Sequence, residues 1–207
     1  MQYRPRVLDA LAVRPDGRLA RSVRARTAVV DALLDLIEEG DLQPTAPRIA
    51  ERAGVSLRLV FHHFTDLEAL FAAAADRQFA RLRRLSSPLP SGGPLPRRLT
   101  AFVRQRVRML EGLSPVRRAA LLFEPFSAEV AVRLAEVRGV GRTEVARVFA
   151  PELAGRRPTA RRELAAALGA TASWSTWETL RRHQRLARPR AARVLTRMLR
   201  ALLEEES

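Results

Sequence analysis

The sequence predicts an all-α protein of about nine helices, on three observations. Apolar residues recur with a 3.6-residue rhythm in nearly every stretch between loops. No stretch sustains the two-residue alternation of a half-buried strand, and Asp16-Gly17 is the only Asn-Gly or Asp-Gly pair. Clusters of Pro and Gly, above all Ser86–Pro96, interrupt the rhythm where helices must end.

The elements follow in order. Val29, Val30, Leu33, Leu34 and Ile37 form one stripe, which places a first helix near 22–39 with Gly40 as its C-cap. A second helix runs about 46–53, with Ile49, Ala50 and Ala53 inward, and a third about 56–63. Thr65-Asp-Leu-Glu68 reads as a capping box opening a long fourth helix to about Leu85. Beyond the Ser86–Pro96 break, Leu99, Phe102, Val103, Val107 and Leu110 make the next stripe. Ser114-Pro115 reads as an N-cap and N1 proline opening another helix. Val130 to Val148 reads as a helix broken at Gly139 and Gly141, and Pro151–Pro158 as a loop. A helix from about Thr159 to His183 holds Trp174 and Trp177, and the last helix carries paired apolar positions from Ala191 to Leu203. These elements divide the chain into an arm at 1–21, an N-terminal unit at 22–86 and a larger helical unit at 94–207.

Composition narrows the function classes. At 207 residues the chain can bury a substantial core. No apolar run reaches the ~18 residues of a membrane span, and Arg4, Arg6, Asp9, Arg14, Asp16 and Arg18 do not read as a secretory signal. Without cysteine there is no disulfide framework, thiol nucleophile or cysteine metal site, and the chain suits a cytoplasm. The net charge of +15 invites a polyanion. Every basic residue is Arg, however, and Lys and Asn are both absent, so part of the charge reflects a GC-rich coding habit. Residues 1–90 hold 14 Arg and 11 acids, whereas 91–207 hold 23 Arg and 11 acids. Within the first 26, seven Arg face Asp9 and Asp16, which reads either as a basic arm for phosphates or the minor groove, or as an ordinary disordered tail.

The stretch Thr45–Phe64 reads as a helix-turn-helix. Thr45 stands where an N-cap is wanted, Gly54 permits the positive φ of a tight turn, and Ser56 caps the third helix. Val60 and Phe64 lie four apart and face the first two helices, leaving Arg58, Phe61 and His62 outward. A basic, imidazole-bearing outer face suits phosphate and guanine contacts. The alternative is a plain helical hairpin in a bundle. Arg26 and Arg48 are either phosphate contacts or part of a solvated face.

The flanks bear on this choice. An amphipathic helix precedes Thr-x-x-x-Ile-Ala-x-x-Ala-Gly-Val-Ser, an aromatic stands before His63-Phe64, and Thr-Asp-Leu-Glu-Ala-Leu follows. Over about residues 22–82 this resembles the tetracycline-repressor (TetR) family of bacterial transcriptional regulators. The resemblance implies that Thr45 meets a phosphate and that Ser56, Leu57, Arg58, Leu59, Phe61, His62 and His63 occupy groove- and backbone-facing positions. It puts Leu67 where the family commonly has a phosphate-binding lysine, and Phe61 where it usually has Tyr. Leu57 and Leu59 are apolar where polar or small residues are common, and leucines there would touch thymine methyls.

The resemblance further implies that 94–207 binds a small-molecule effector and forms a homodimer on a pseudo-palindromic double-stranded operator. Ligand and operator affinity would be coupled through the fourth helix, as repression requires. Candidate pocket residues are Phe102, Arg106, Met109, Phe123, Phe126 and Trp174, each apolar one having core packing as its alternative. Candidate interface residues are Trp177, Val194, Leu195, Met198, Leu199 and Leu202. Glu124 either meets a cationic ligand or ends a helix before Pro125, and the excess Arg in 91–207 hints at an anionic ligand.

No enzyme is expected. Adjacent His62 and His63 point ~100° apart on a helix and do not share a metal-binding face. No GxSxG, GxGxxG or phosphate-cradling loop occurs, and no metal or cofactor is expected. The rival reading is a dimeric helical small-molecule-binding or scaffold protein whose reading head has degenerated.

Overall fold

The structure, a computed structural model, describes residues 17–84 and 87–204, the Arg18 side chain excepted. The expected arm lies largely outside the described residues. Among those described are ten α-helices and no strand: α1 Gly17–Glu38, α2 Ala46–Ala53, α3 Leu57–His63, α4 Leu67–Arg84, α5 Leu95–Leu121, α6 Ala128–Val148, α7 Ala150–Ala154, α8 Pro158–Thr171, α9 Trp174–Glu178 and α10 Arg188–Glu204. A π-helical turn, Thr179–His183, continues α9. No described helix is long and apolar enough to cross a membrane.

Several boundaries differ from the expectation. α1 opens at Gly17 rather than 22, because Leu19-Ala20-Arg21 are good helix formers and Arg21 Nε donates to the Gly17 carbonyl at 3.1 Å. α4 is capped by Asp66, not Thr65: Asp66 Oδ1 accepts from Ala69 N–H at 2.8 Å, while the Thr65 hydroxyl bonds Asp66. Ser114-Pro115 opens no helix, and α5 runs through it. The buried Ser114 hydroxyl donates back to the Leu110 carbonyl at 2.7 Å and accepts from Trp174 Nε1 at 3.0 Å. That buried bridge anchors the turn which Pro115 deprives of a donor.

α6 is likewise unbroken at Gly139 and Gly141. Gly141 serves close approach instead: a Cβ there would stand 3.1 Å from Arg106 Nη1. The expected Pro151–Pro158 loop holds the short α7. The expected helix 159–183 is divided at Ala172-Ser173, where Ser173 Oγ caps α9 by accepting from Thr176 N–H at 3.2 Å. The redirected segment sends Trp177 into the core, its Nε1 donating to Glu111 at 3.0 Å.

Two main cores result. One gathers Val29, Leu33, Ile37, Ile49, Val60, Phe64, Leu70 and Phe71 from α1–α4 and the segment after α3, together with Val116 and Ala119 of α5. The other gathers Phe102, Val107, Phe149, Leu168, Trp177, Leu195 and Leu199 from α5 onward. α5 therefore belongs to both. Bidentate ion pairs tie the helices: Arg77 with Asp31 between α4 and α1, Arg98 with Glu152 between α5 and α7, and Arg118 with Glu178 between α5 and α9.

Candidate functional site

The turn of the helix-turn-helix is built from backbone hydrogen bonds. Gly54 takes φ 67°, ψ 33°, its N–H donating to Glu51 O, while Val55 N–H donates to Ala50 O at 3.0 Å. This pair of bonds is a Schellman motif and satisfies carbonyls that α2 leaves open. Ser56 Oγ then accepts from Leu59 N–H at 3.2 Å and starts α3. Val60 and Phe64 are buried against α1 and α2, which fixes the rotation of α3.

That rotation turns Leu57 (41% exposed), Arg58, Phe61 (49% exposed) and His62 to solvent. Leu59 is half-buried. Arg58 and His62 make no hydrogen bond or ion pair among the described residues. Other nearby cations are committed: Arg52 grips Glu39 bidentately at 2.8 and 2.7 Å, and Arg48 meets Asp41 at 2.9 Å. Arg26 lies 4.7 Å over the Phe64 ring. His63 is half-buried with Nε2 unpartnered. Burial, then His62 and Arg26, hold its pKa below the ordinary imidazole value, which favours the neutral ring.

One expected role changes, that of the Thr45 hydroxyl as a cap. Thr45 has N-cap geometry but its exposed hydroxyl caps nothing; Pro47 in the first turn has already removed one of the donors a cap would satisfy. The hydroxyl is thereby left free for a partner outside the chain. Leu67 is half-buried against the first core rather than facing solvent, as expected of a leucine four residues before the buried Phe71.

The second candidate site is a cavity of about 700 Å³. Ala75 and Phe79 of α4, Arg106, Met109 and Arg117 of α5, Val137 and Gly141 of α6, Gly169 of α8 and Trp174 of α9 line it. Of the expected pocket residues, Arg106, Met109 and Trp174 are on its wall and three are not. Phe102 is wholly buried against Phe149, with ring centroids 5.1 Å apart, and Arg106 stacks over its ring. Phe123 packs on Phe71 at 4.4 Å, and Phe126 is 85% exposed. The reason is that α5 ends at Leu121, so the next residues leave its phase. Glu124 pairs with Arg138 at 2.9 Å. The sequence reading missed Phe79, Arg117, Arg142 and Glu144; the Gly139–Gly141 pair was the available signal, since it marks where α6 admits side chains from α5.

The paired stripe of α10 separates into two rows. Leu195 and Leu199 are buried in the second core, as is Trp177. Val194 and Leu202 are half-buried and Met198 is 38% exposed. Met198, Leu202, Ala201, Glu204 and Thr171 form an open groove between α8 and α10.

Comparison with known proteins follows the same division. Residues 29–74, from α1 into α4, match the family model of bacterial regulatory proteins, tetR family. No curated protein matches the chain. Among solved structures, the chain is similar to a transcriptional regulator from Rhodococcus sp. Rha1 at 23% identity and TM-score 0.65, over 88% of this chain and 96% of that one. A putative TetR-family regulator from Mesorhizobium loti MAFF303099 gives 19% identity and TM-score 0.64 over the same shares. The multidrug binding protein EbrR, complexed with imidazole, gives 21% identity and TM-score 0.56 over 84% of this chain and 93% of that one. Residues 29–74 are thus similar to the DNA-binding segment of tetR-family regulatory proteins, and over most of its length the chain has the fold of solved transcriptional regulators, a putative TetR-family one among them.

Proposed function

We propose that the chain is a ligand-responsive transcriptional repressor that binds a pseudo-palindromic operator as a homodimer. One observation carries the DNA-binding half of this reading. The outer face of α3 offers Leu57, Arg58, Phe61 and His62 to solvent with Arg58 and His62 uncommitted, while neighbouring Arg48 and Arg52 are held by acids. Arg58 and His62 can then meet phosphates or guanine edges, and Leu57 and Phe61 thymine methyls. Thr45 adds a hydroxyl at the first turn of α2, where N–H groups favour a phosphate.

The ligand response is supported by α4. Its Phe79 and Ala75 are on the cavity wall, while its Leu70, Phe71 and Ala74 are in the core beneath the reading head. An occupant that favours one position of α4 therefore changes the spacing of two heads, provided it binds the two states unequally. EbrR, a relative in fold, is a multidrug binding protein. The outward row Val194, Met198 and Leu202 on α10 supports a two-fold interface, which would set half-sites ~34 Å apart.

The rival reading, a helical binding protein with a degenerate head, is favoured by Phe61 and by the inward packing of Leu67. Fluorescence anisotropy with DNA from upstream of the chain's own gene, at rising salt, separates the two. The repressor reading expects a saturable complex and, for Arg58→Ala, weaker binding with a salt slope smaller by about one. A folded dimer that raises the anisotropy of no upstream fragment supports the rival.

A further inference from the structure

The cavity carries positive charge that its own wall does not neutralise. Arg83, Arg106, Arg117, Arg138, Arg142 and Arg147 line it, with Glu144 as the only lining carboxylate among the described residues. Three arginines at other helix contacts are matched in full: Arg98, Arg118 and Arg181 each take both oxygens of one glutamate. Around the cavity that matching fails. Glu144 is shared between Arg106, at 3.0 Å, and Gln105, at 3.1 Å. Arg106 is nine-tenths buried, yet its Nε has no acceptor. Arg117 lies 5.7 Å over Trp174, and its nearest acid, Glu124 at 3.7 Å, is already bonded to Arg138. Arg142 makes no hydrogen bond or ion pair among the described residues. Arg83, Arg138, Arg142 and Arg147 are exposed at the rim, where water solvates them; the incomplete pairing that the abundance of Arg does not explain is that of buried Arg106 and half-buried Arg117.

The rest of the wall is apolar, with Phe79, Met109, Leu113, Leu134 and Val137. We propose that the cavity takes an amphipathic organic anion, its acidic head held by Arg106, Arg117 and Arg142 and its apolar body lying along α4 and α6. Guanidinium groups bind oxyanions through paired N–H donors, and a site poor in water strengthens that contact. A cationic head would be repelled by the same groups, and a neutral one would leave them unpaired. Burial holds Arg106 and Arg117 below the ordinary guanidinium value, the direction expected where a cation lacks a full counter-charge. The volume of about 700 Å³ suits a drug-sized ligand. The inference rests on reading the cavity as the effector site, and its test separates the two.

Calorimetric titration of the full chain uses three probes with one tail and different heads: decanoate, decanol and decyltrimethylammonium. Decanoate is expected to bind at least ~10-fold more tightly than either of the others. Arg142→Met, which removes no bond made within the protein, is expected to weaken decanoate ~10-fold while leaving decanol unchanged; Arg117→Met is expected to act alike. Equal binding of the three, a preference for the cation, or no saturation by decanoate below about 1 mM overturns the proposal. The same probes are then added to the chain bound to its upstream DNA. Release by decyltrimethylammonium with decanoate inert overturns the anion site and leaves the effector reading standing. Decanoate binding that needs Arg142 but leaves DNA affinity unchanged upholds the anion site and overturns the effector reading.

Discussion

Thr45 and Ser56 occupy equivalent N-cap positions on α2 and α3, and only Ser56 caps. Ser56→Ala is expected to lower stability by about 1 kcal/mol, as loss of an N-cap does. Thr45→Ala is expected to change stability by less than about 0.5 kcal/mol while weakening DNA binding, since its hydroxyl makes no cap bond. Urea unfolding and DNA anisotropy on both variants check the contrast. His63 contributes a pH dependence of known sign. Its folded pKa lies below the ordinary 6.5, so the unfolded chain binds more protons between those two values. The contribution is complete above about 6.5 and is lost as pH falls through the folded value. His63→Phe is expected to flatten the rise of the urea midpoint with pH in that window. The reading head was legible in the sequence because its determinants are local: Gly54 must take positive φ, Ser56 must cap, Val60 and Phe64 must face inward. Thr45 was misread because position shows that a cap is possible, not which way a hydroxyl turns. The packing of Leu67 was not legible because the family position says nothing of which core lies beneath it.

Elements whose ends depend on distant contacts were the least legible. Pro115 and the Gly139–Gly141 pair are breakers by local rule, and both are carried inside long helices. In α5 the Ser114–Trp174 bridge anchors the proline turn, and in α6 Gly141 admits the Arg106 guanidinium. These two glycines should respond differently to alanine. A Cβ at 139 meets nothing nearer than Arg142 Nη2 at 3.9 Å, so Gly139→Ala is expected to stabilise by about 0.5–1 kcal/mol through helix propensity. Gly141→Ala makes the same propensity gain but crowds Arg106 at 3.1 Å, and its urea midpoint is expected to fall below that of Gly139→Ala. The division at Ser173 escaped notice because the stripe continues through it; what the stripe omits is that Trp177 and Trp174 must each reach a polar partner on α5.

At the scale of the whole molecule, the all-α class and the order of helices could be read from periodicity, and the cavity could not. A cavity wall is set by which faces of five helices meet, and no single stripe records that. Phe102 and Phe123, aromatic and well placed in sequence, are consumed by core packing, whereas Arg117 and Arg142 reach the wall from positions with no apolar signature. The α10 stripe shows the same limit: its width was evident, but which row faces inward depends on α8 and α5. With Leu195 and Leu199 buried in the second core, the proposed two-fold interface has only the outer row of α10 to draw on. Met198→Asp is expected to leave the fold intact and shift the chain from dimer to monomer in sedimentation, with DNA affinity falling as the second head is lost. A variant that stays dimeric would move the interface elsewhere.

The sharing of α5 between the two cores has a consequence for synthesis on the ribosome. Val116 and Ala119, with Phe123 packed beside them, complete the core under α1–α4 from well beyond the Pro- and Gly-rich break. A nascent chain ending at that break holds every residue of the reading head but lacks the wall on which the head settles. The core under α1–α4 is therefore completed only after about residue 123 has cleared the exit tunnel, and a chain truncated at the break is expected to hold the four N-terminal helices with lower stability than the full chain gives them.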